Sequence, residues 1–251
     1  MSEQFTSPAV IAALERLGIR LDPDQLARLE TLGCEVVAWN ERVNLTAITD
    51  PAEIAIKHVL DSLAVLPIIR ERVGETGERL VDIGAGPGYP GIPIAIVCAM
   101  LDVTLVEATG KKVDFLKHAI ATLDLANARA IHGRAEDLGH EAAFRGGATF
   151  ATARAVGRVT VLSELTLPLL EVGGWAFLWK TRAAATDEVR EARPALATLG
   201  GVVEDVVDVS VPGLLESRVC VVLRKIAPTP EGYPRRPGVP QHKPLGITSA
   251  S

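Results

Sequence analysis

Residues 79–96 read RLVDIGAGPGYPGIPIAI, an apolar strand running into four glycines, at 84, 86, 88 and 91, interleaved with Pro87, Pro90 and Pro93 where a helix is due to begin. So many glycines at a strand's carboxyl end either admit a ligand that a Cβ would obstruct or close a tight turn against the strand. A nucleoside triphosphate, an adenine dinucleotide and an S-adenosyl cofactor compete with no ligand at all. A phosphate loop needs GxxxxGK followed by Ser or Thr, and no lysine follows this turn. The dinucleotide fingerprint needs glycine at its first, third and sixth positions. Counted from Gly84 the sixth residue is Tyr89, and the third glycine falls on Gly88. The resulting GxGxG suits an adenosyl sulfonium, which carries no phosphate. Tyr89, Pro90 and Pro93 cover or remove amides that would otherwise face a pyrophosphate.

Three acids extend the pattern. Asp82, two residues before Gly84, has two readings: a carboxylate for the cationic methionine end of the cofactor, or a strand-end group bonding turn amides. Glu107 closes the next strand, DVTLVEA, 23 residues after Gly84. An acid there can accept both hydroxyls of a ribose, in an adenosyl or a nicotinamide cofactor alike. Glu136, in HGRAED after the third strand, suits an adenine edge or a plain surface site.

Around this centre the chain alternates. SPAVIAALERLGI, DPDQLARLETLGCEVVAW and DPAEIAIKHVLDSLAVLPIIRERV carry apolar residues at helical spacing, the latter two opening with Asp and then Pro, and predict three helices. Strands RLVDIGA, DVTLVEA, ARAIHG, FATARAV and GWAFLWK follow, separated by helices from about 90, from about 110 and over 158–171. Such alternation predicts a parallel sheet covered on both faces. VVEDVVDVSV and SRVCVVLRKI, joined by PGLLE, predict a closing antiparallel hairpin. The expected fold is α/β, a seven-stranded, mostly parallel Rossmann-like sheet of the class I methyltransferase type. Its divisions are an N-terminal helical extension (1–78), a cofactor-binding domain (79–226) and a proline-rich basic tail (227–251) expected to lack a core of its own.

Composition narrows the setting. The 251 residues, 48% hydrophobic, suffice for a full core, and a net charge of −5 gives no overall attraction to nucleic acid, so any such contact needs local basic clusters. Cys34, Cys98 and Cys220 stand far apart without CxxC or Cys/His spacing, which predicts neither a disulfide framework nor a metal site and fits a reducing cytoplasm. MSEQFTSPAV lacks a basic signal region, and the longest apolar run, GIPIAIVCAML, is too short for a bilayer. The expectation is a cytoplasmic monomer with no membrane contact.

WNERVNLTAITD, HVLDSL, VDIGAGPGYPGIPIAI, EATGKKVDFLKH, GRAED, ARAVG and LWK together resemble the bacterial 16S ribosomal RNA guanine-N7 methyltransferases, also called glucose-inhibited division protein B, over nearly the whole chain. The resemblance implies S-adenosylmethionine as donor, S-adenosylhomocysteine as product, and N7 of the guanine at RNA position 527 of the small-subunit rRNA as acceptor. Carried onto this chain, it implies cofactor contacts at Gly84, Tyr89, Ala135, Glu136 and Arg154. The turn itself adds Asp82, Gly86, Gly88 and Glu107. Two positions depart from the family: Tyr89 stands where Leu or Phe is usual, and Thr181 where Gly is usual. A methyltransferase acting on a small molecule or protein is the alternative that the acidic charge keeps open. A nicotinamide-dependent reductase and a non-catalytic adenosyl-binding module are further readings.

Guanine N7 has a free lone pair at neutral pH, so attack on a sulfonium methyl needs positioning and exclusion of water rather than a general base. N7 also lies on the groove edge that A-form RNA hides, so the target must be unpaired or splayed out. The positioning candidates are Arg154 and Lys180. RNA-binding candidates are Lys111 and Lys112 at a helix start, Arg182 beyond the fifth strand, and Arg235 and Arg236 in the tail, where Arg224, Lys225 and Lys243 add to an RNA arm or a solvated tail. His58, Asp61 and Ser62 share one helix face and read first as a packing patch. Asn44 and Thr46 of VNLTAI predict a side-chain-stabilised turn.

Overall fold

A computed structural model describes residues 5–74, 77–154 and 157–246. The N-terminal helices are α1 (Pro8–Arg16) and α2 (Pro23–Asn40). They are followed by a run of α3 (Pro51–Ile54), a π-helical stretch (Ala55–Leu60) and α4 (Asp61–Leu63), and then by α5 (Leu66–Arg70). The α/β part runs β1 (Arg79–Ile83), α6 (Gly91–Val97), β2 (Asp102–Glu107), α7 (Gly110–Thr122), β3 (Ala128–His132), α8 (Ala135–Leu138), β4 (Ala148–Arg154) and α9 (Val159–Thr166). It ends with β5 (Leu170–Thr181), α10 (Arg182–Leu199), β6 (Gly201–Val209), β7 (Arg218–Lys225) and the single turn α11 (Val239–His242).

The seven strands lie in the order β3-β2-β1-β4-β5-β7-β6. β1 to β5 are parallel, and β7 runs antiparallel to both β5 and β6. Chain order reverses between β1 and β4, and the carboxyl ends of strands at such a reversal are where open α/β sheets bind ligands. Period-two alternation feeds two apolar layers. Leu80, Phe150, Phe177 and Val222 join one with Leu29 of α2, Ile92 of α6 and Phe115 of α7. Val81, Ala151, Leu178 and Val221 join the other with Leu162 of α9 and Leu196 of α10. Burial on both faces accounts for strand sequences that read as nearly continuous apolar runs. The N-terminal helices share the first layer, since Leu14, Leu32 and Leu63 belong to the same cluster as β1 and α6.

Local chemistry sets the helix ends. Asp22 accepts from Gln25 N at 2.8 Å while Gln25 accepts from Asp22 N at 3.1 Å, a complete capping box, and Asp50 caps the next helix through Glu53 N. The third predicted helix is broken: it widens into π geometry at Ala55–Leu60, and its last turn, α5, carries Pro67 at its start. The turn after α2 is held by Asn40, which accepts from Leu45 N and Thr46 N, whereas Asn44 is exposed. α10 was not among the expected elements. Its buried positions include the small residues Ala185, Ala192 and Ala195, which blur the apolar stripe, and it accommodates Pro194.

The segment after β7 does not trail into solvent. Thr229 and Pro234 are buried, and Arg145 donates to the carbonyls of Thr229, Pro230 and Tyr233. This strap packs on the apolar layer of α9 and α10, where Tyr233 and Leu245 lie. Lys225, expected in a solvated basic run, is buried and donates to Leu167 O and Leu170 O, and its burial lowers its pKa to about 8.

Candidate cofactor pocket and the adjoining arginine corner

The four turn glycines divide into two jobs. Gly84, Gly86 and Gly88 have φ of 69°, 54° and 91°, in the left-handed region that side-chain-bearing residues avoid. Gly91 has an ordinary φ, but a Cβ there would lie 2.2 Å from Leu105 Cδ2 and 2.8 Å from Asp82 Oδ2. It lets α6 start against β2, and its N–H donates to Asp82 Oδ2 at 3.1 Å. A Cβ on Gly88 would meet Ile92 Cδ1 at 2.4 Å. Gly88 and Gly91 thus serve packing, and Gly84 lies on the wall of a cavity.

Asp82 is fully buried and takes Thr152 Oγ1 at 2.8 Å as well as Gly91 N, tying the turn to β4. Burial pushes its carboxyl up to about 7, against the opposing hydrogen bonds from Thr152 and Gly91 and the charge of Arg154. Glu107, at the end of β2, accepts from Gly86 N at 3.0 Å and from Thr109 N at 2.8 Å. The Gly86 amide is thus engaged by a carboxylate and unavailable to a pyrophosphate. Each Glu107 oxygen retains acceptor capacity for a ribose hydroxyl.

A cavity of about 400 Å³ opens at the carboxyl ends of β1 and β2, walled by Ile83, Gly84, Glu107, Ala135, Glu136 and Leu165 among others. Four residues singled out in the sequence, Gly84, Glu107, Ala135 and Glu136, are brought together there. Among the lining residues that were not, Gly238, Gln241 and His242 come from the strap, about 100 residues beyond Glu136. No local spacing in the sequence links them to the glycine turn. The wall fits an adenosyl group: bare backbone at Gly84, a fixed acid at Glu107, apolar surface from Ile83 and Leu165, and a volume in the small-ligand range.

Arg154 lies at the carboxyl end of β4, where Ile83 of β1 pairs with Ala153. Its Nη1 donates to Lys57 O and Asp61 Oδ2, both at 2.9 Å, and its Nη2 lies 3.2 Å from His58 Nδ1. The same Nδ1 lies 3.2 Å from Lys57 O, and His58 Nε2 lies 3.0 Å from Thr46 Oγ1, so the ring is held from both of its nitrogens. Burial, then the charge of Arg154, lowers the His58 pKa to about 4 and holds the ring neutral. The ring of Tyr89 stacks on His58 and meets the Arg154 guanidinium. Burial raises the Tyr89 pKa, and its hydroxyl has no hydrogen-bond partner among the described residues. Asp61 Oδ1 likewise has none, with Arg218 Nε at 3.7 Å. His58 and Asp61 of HVLDSL, Tyr89 of the glycine turn and Arg154 of ARAVG, three motifs distant in sequence, form one corner. Ala155 and Val156 of ARAVG fall outside the described residues.

The other basic candidates separate. Lys111 at the start of α7 is exposed and Lys112 half-buried. Lys180 is spent on Glu188 at 2.8 Å and on Gly157 O, and Arg182 on Asp208. Arg235 clasps Glu164, an acid with no exposure, through its backbone N at 2.8 Å and its guanidinium at 2.6 Å, while Arg236 is exposed. Among the described residues no group of three metal-ligating side chains occurs, and no helix is long and apolar enough to cross a membrane.

A family model for the rRNA small subunit methyltransferase G, or GidB, family matches residues 25–216. The chain belongs to that family. A ribosomal RNA small subunit methyltransferase G of Roseiflexus castenholzii is 45% identical over 228 residues, covering 91% of this chain and 95% of its own. One of Desulfitobacterium hafniense is 40% identical, covering 92% and 94%. Among solved structures, a putative S-adenosyl-L-methionine-dependent methyltransferase of Methanococcus maripaludis superposes with a TM-score of 0.52 at 14% identity, over 78% of this chain and 92% of that one. That likeness shows the class I methyltransferase fold, and the family membership shows a member of an rRNA methyltransferase group.

Proposed function

We propose that the protein transfers the methyl group of S-adenosylmethionine to N7 of a guanine in 16S rRNA of the small ribosomal subunit. The observation that carries this is the family match over residues 25–216, which includes a pocket wall of Gly84, Glu107, Ala135 and Glu136 at the strand-order reversal. The working unit of this reading is a monomer, and the substrate places it in the bacterial cytoplasm.

S-adenosylmethionine supplies an electrophilic methyl on a cationic sulfur. Gly84 provides bare backbone for the amino-acid and ribose portion, Glu107 accepts from the ribose hydroxyls, and Ala135 and Glu136 border the adenine. N7 attacks with its own lone pair, so the chain's work is alignment and drying of the site. Arg154, fixed by Asp61 and Lys57 O, presents a cation beside the turn that can orient the incoming nucleotide. Lys111 and Lys112, at the start of the helix that follows Glu107, offer charge to the RNA backbone. No proton need be removed during the transfer.

The test incubates purified protein and methyl-labelled S-adenosylmethionine with unmethylated small subunits, with protein-free rRNA and without RNA, followed by cleavage at 7-methylguanine. Label at one guanine of 16S rRNA is expected. Its absence from every RNA-containing sample refutes the proposal.

A further inference from the structure

From Ile226 onward the strap follows a defined path. It is pinned to Gly200 O through Ala227 N, to Arg145 through three carbonyls, and to His140 Nε2 through Pro234 O at 2.6 Å. Arg235 then meets Glu164 of α9. A carboxylate with no solvent exposure is strongly destabilising without a partner, so the strap completes the charge balance of the second apolar layer. Three residues later Gly238, at φ 81°, donates its N–H to Glu136 Oε1 at 3.0 Å. Gly238, Gln241 and His242 thereby reach the pocket edge that Ala135 and Glu136 also form. The strap lies outside residues 25–216, where the family model matches.

We infer that Gln241 and His242 are cofactor-contacting residues, closing the adenine end of the pocket. The inference rests on the function proposed above. Glu107 sets the ribose position, which leaves the adenine toward Ala135 and Glu136, and the strap is bonded to Glu136 itself. An adenine edge offers a donor amine beside a ring-nitrogen acceptor, and a glutamine carboxamide carries the complementary pair. An imidazole adds a flat surface for the base. Both are exposed residues on the pocket wall.

The test uses the full chain and the reaction product, S-adenosylhomocysteine, so that methylation is not needed as a readout. Calorimetric titration of the Gln241→Ala/His242→Ala double variant is expected to show about tenfold weaker binding than the parent, with an unchanged melting temperature in the absence of ligand. The parent is expected to prefer the adenosyl compound over its inosyl analogue, and the Gln241→Ala single variant to lose most of that preference. In the parent, ligand is expected to slow hydrogen exchange at the amides of residues 238–243. Should the parent bind but the variants bind equally well, with strap exchange unaltered, the strap inference is overturned and the function stands. Should the parent bind no S-adenosylhomocysteine, the function reading falls and takes this inference with it.

Discussion

The pocket and the arginine corner occupy neighbouring strand ends yet are built in opposite ways. In the pocket, a polar side chain, Glu107, is satisfied by backbone amides, and space is made by withholding side chains at Gly84 and Ala135. In the corner, space is filled: Arg154, His58, Asp61 and Tyr89 bond or stack with one another across roughly a hundred residues of sequence, and the Tyr89 hydroxyl and Asp61 Oδ1 are left over. The pocket takes its bare backbone and its acid from two consecutive strand ends and its far edge from the strap. The corner beside it is assembled from distant segments and couples the helical extension to the sheet.

The sharpest way to break the corner is Arg154→Ala. It strips Asp61, about 4% exposed at its side chain, of its 2.9 Å partner, and loss of one member of such a buried pair costs about 3–5 kcal/mol. Chemical denaturation should show that loss, and methylation at a temperature where the variant is still folded should fall more than a hundredfold with product affinity within threefold of the parent. A large fall in product affinity would place Arg154 in the pocket instead. Gly84→Ala acts on the other side. A left-handed alanine costs about 1–2 kcal/mol, while the methyl intrudes on the wall, so titration should show about a hundredfold loss of affinity for S-adenosylhomocysteine in a folded protein. Glu107→Ala should weaken the same binding by about tenfold, because it removes the ribose acceptor and frees the Gly86 and Thr109 amides.

The smallest effect is a slope with pH. His58 titrates near 6.5 when unfolded and at about 4 when folded. The unfolded chain therefore takes up the proton first as pH falls, and the stability associated with the neutral ring is present above 6.5 and lost between 6.5 and 4. Asp82 works the other way, since its folded pKa of about 7 lies above its unfolded value of 3.8 and it erodes stability as pH rises through that interval. Denaturation midpoints of His58→Phe against the parent from pH 4 to 7 should isolate the first slope. Parallel curves would show that His58 is not the titrating group.

These contrasts also explain what was legible in the sequence. The pocket's core was readable because Gly84 and Glu107 lie on consecutive strand ends, where register alone brings them together. The hairpin was readable because two apolar runs without an intervening helix have to pair antiparallel. Asn40, rather than Asn44, holds the turn after α2, a choice set by the exit angle of the helix that spacing does not encode. Lys180 read as a positioning group and Arg182 and Arg235 as RNA contacts because their acids, Glu188, Asp208 and Glu164, are remote or on facing elements. The break in the third helix, with its π-helical widening, places His58 and Asp61 toward Arg154, and regular α periodicity hides it.

The pocket edge formed by Gly238, Gln241 and His242 has a consequence in time. Chains leave the ribosome amino end first and fold as they emerge. The glycine turn and Glu107 are therefore made before the strap that walls them, and the cavity stays one wall short until residues 238–242 have followed. A nascent chain can build the first strands of its sheet early, but it acquires the complete pocket only once the strap has been made, on the kind of particle it is proposed to modify.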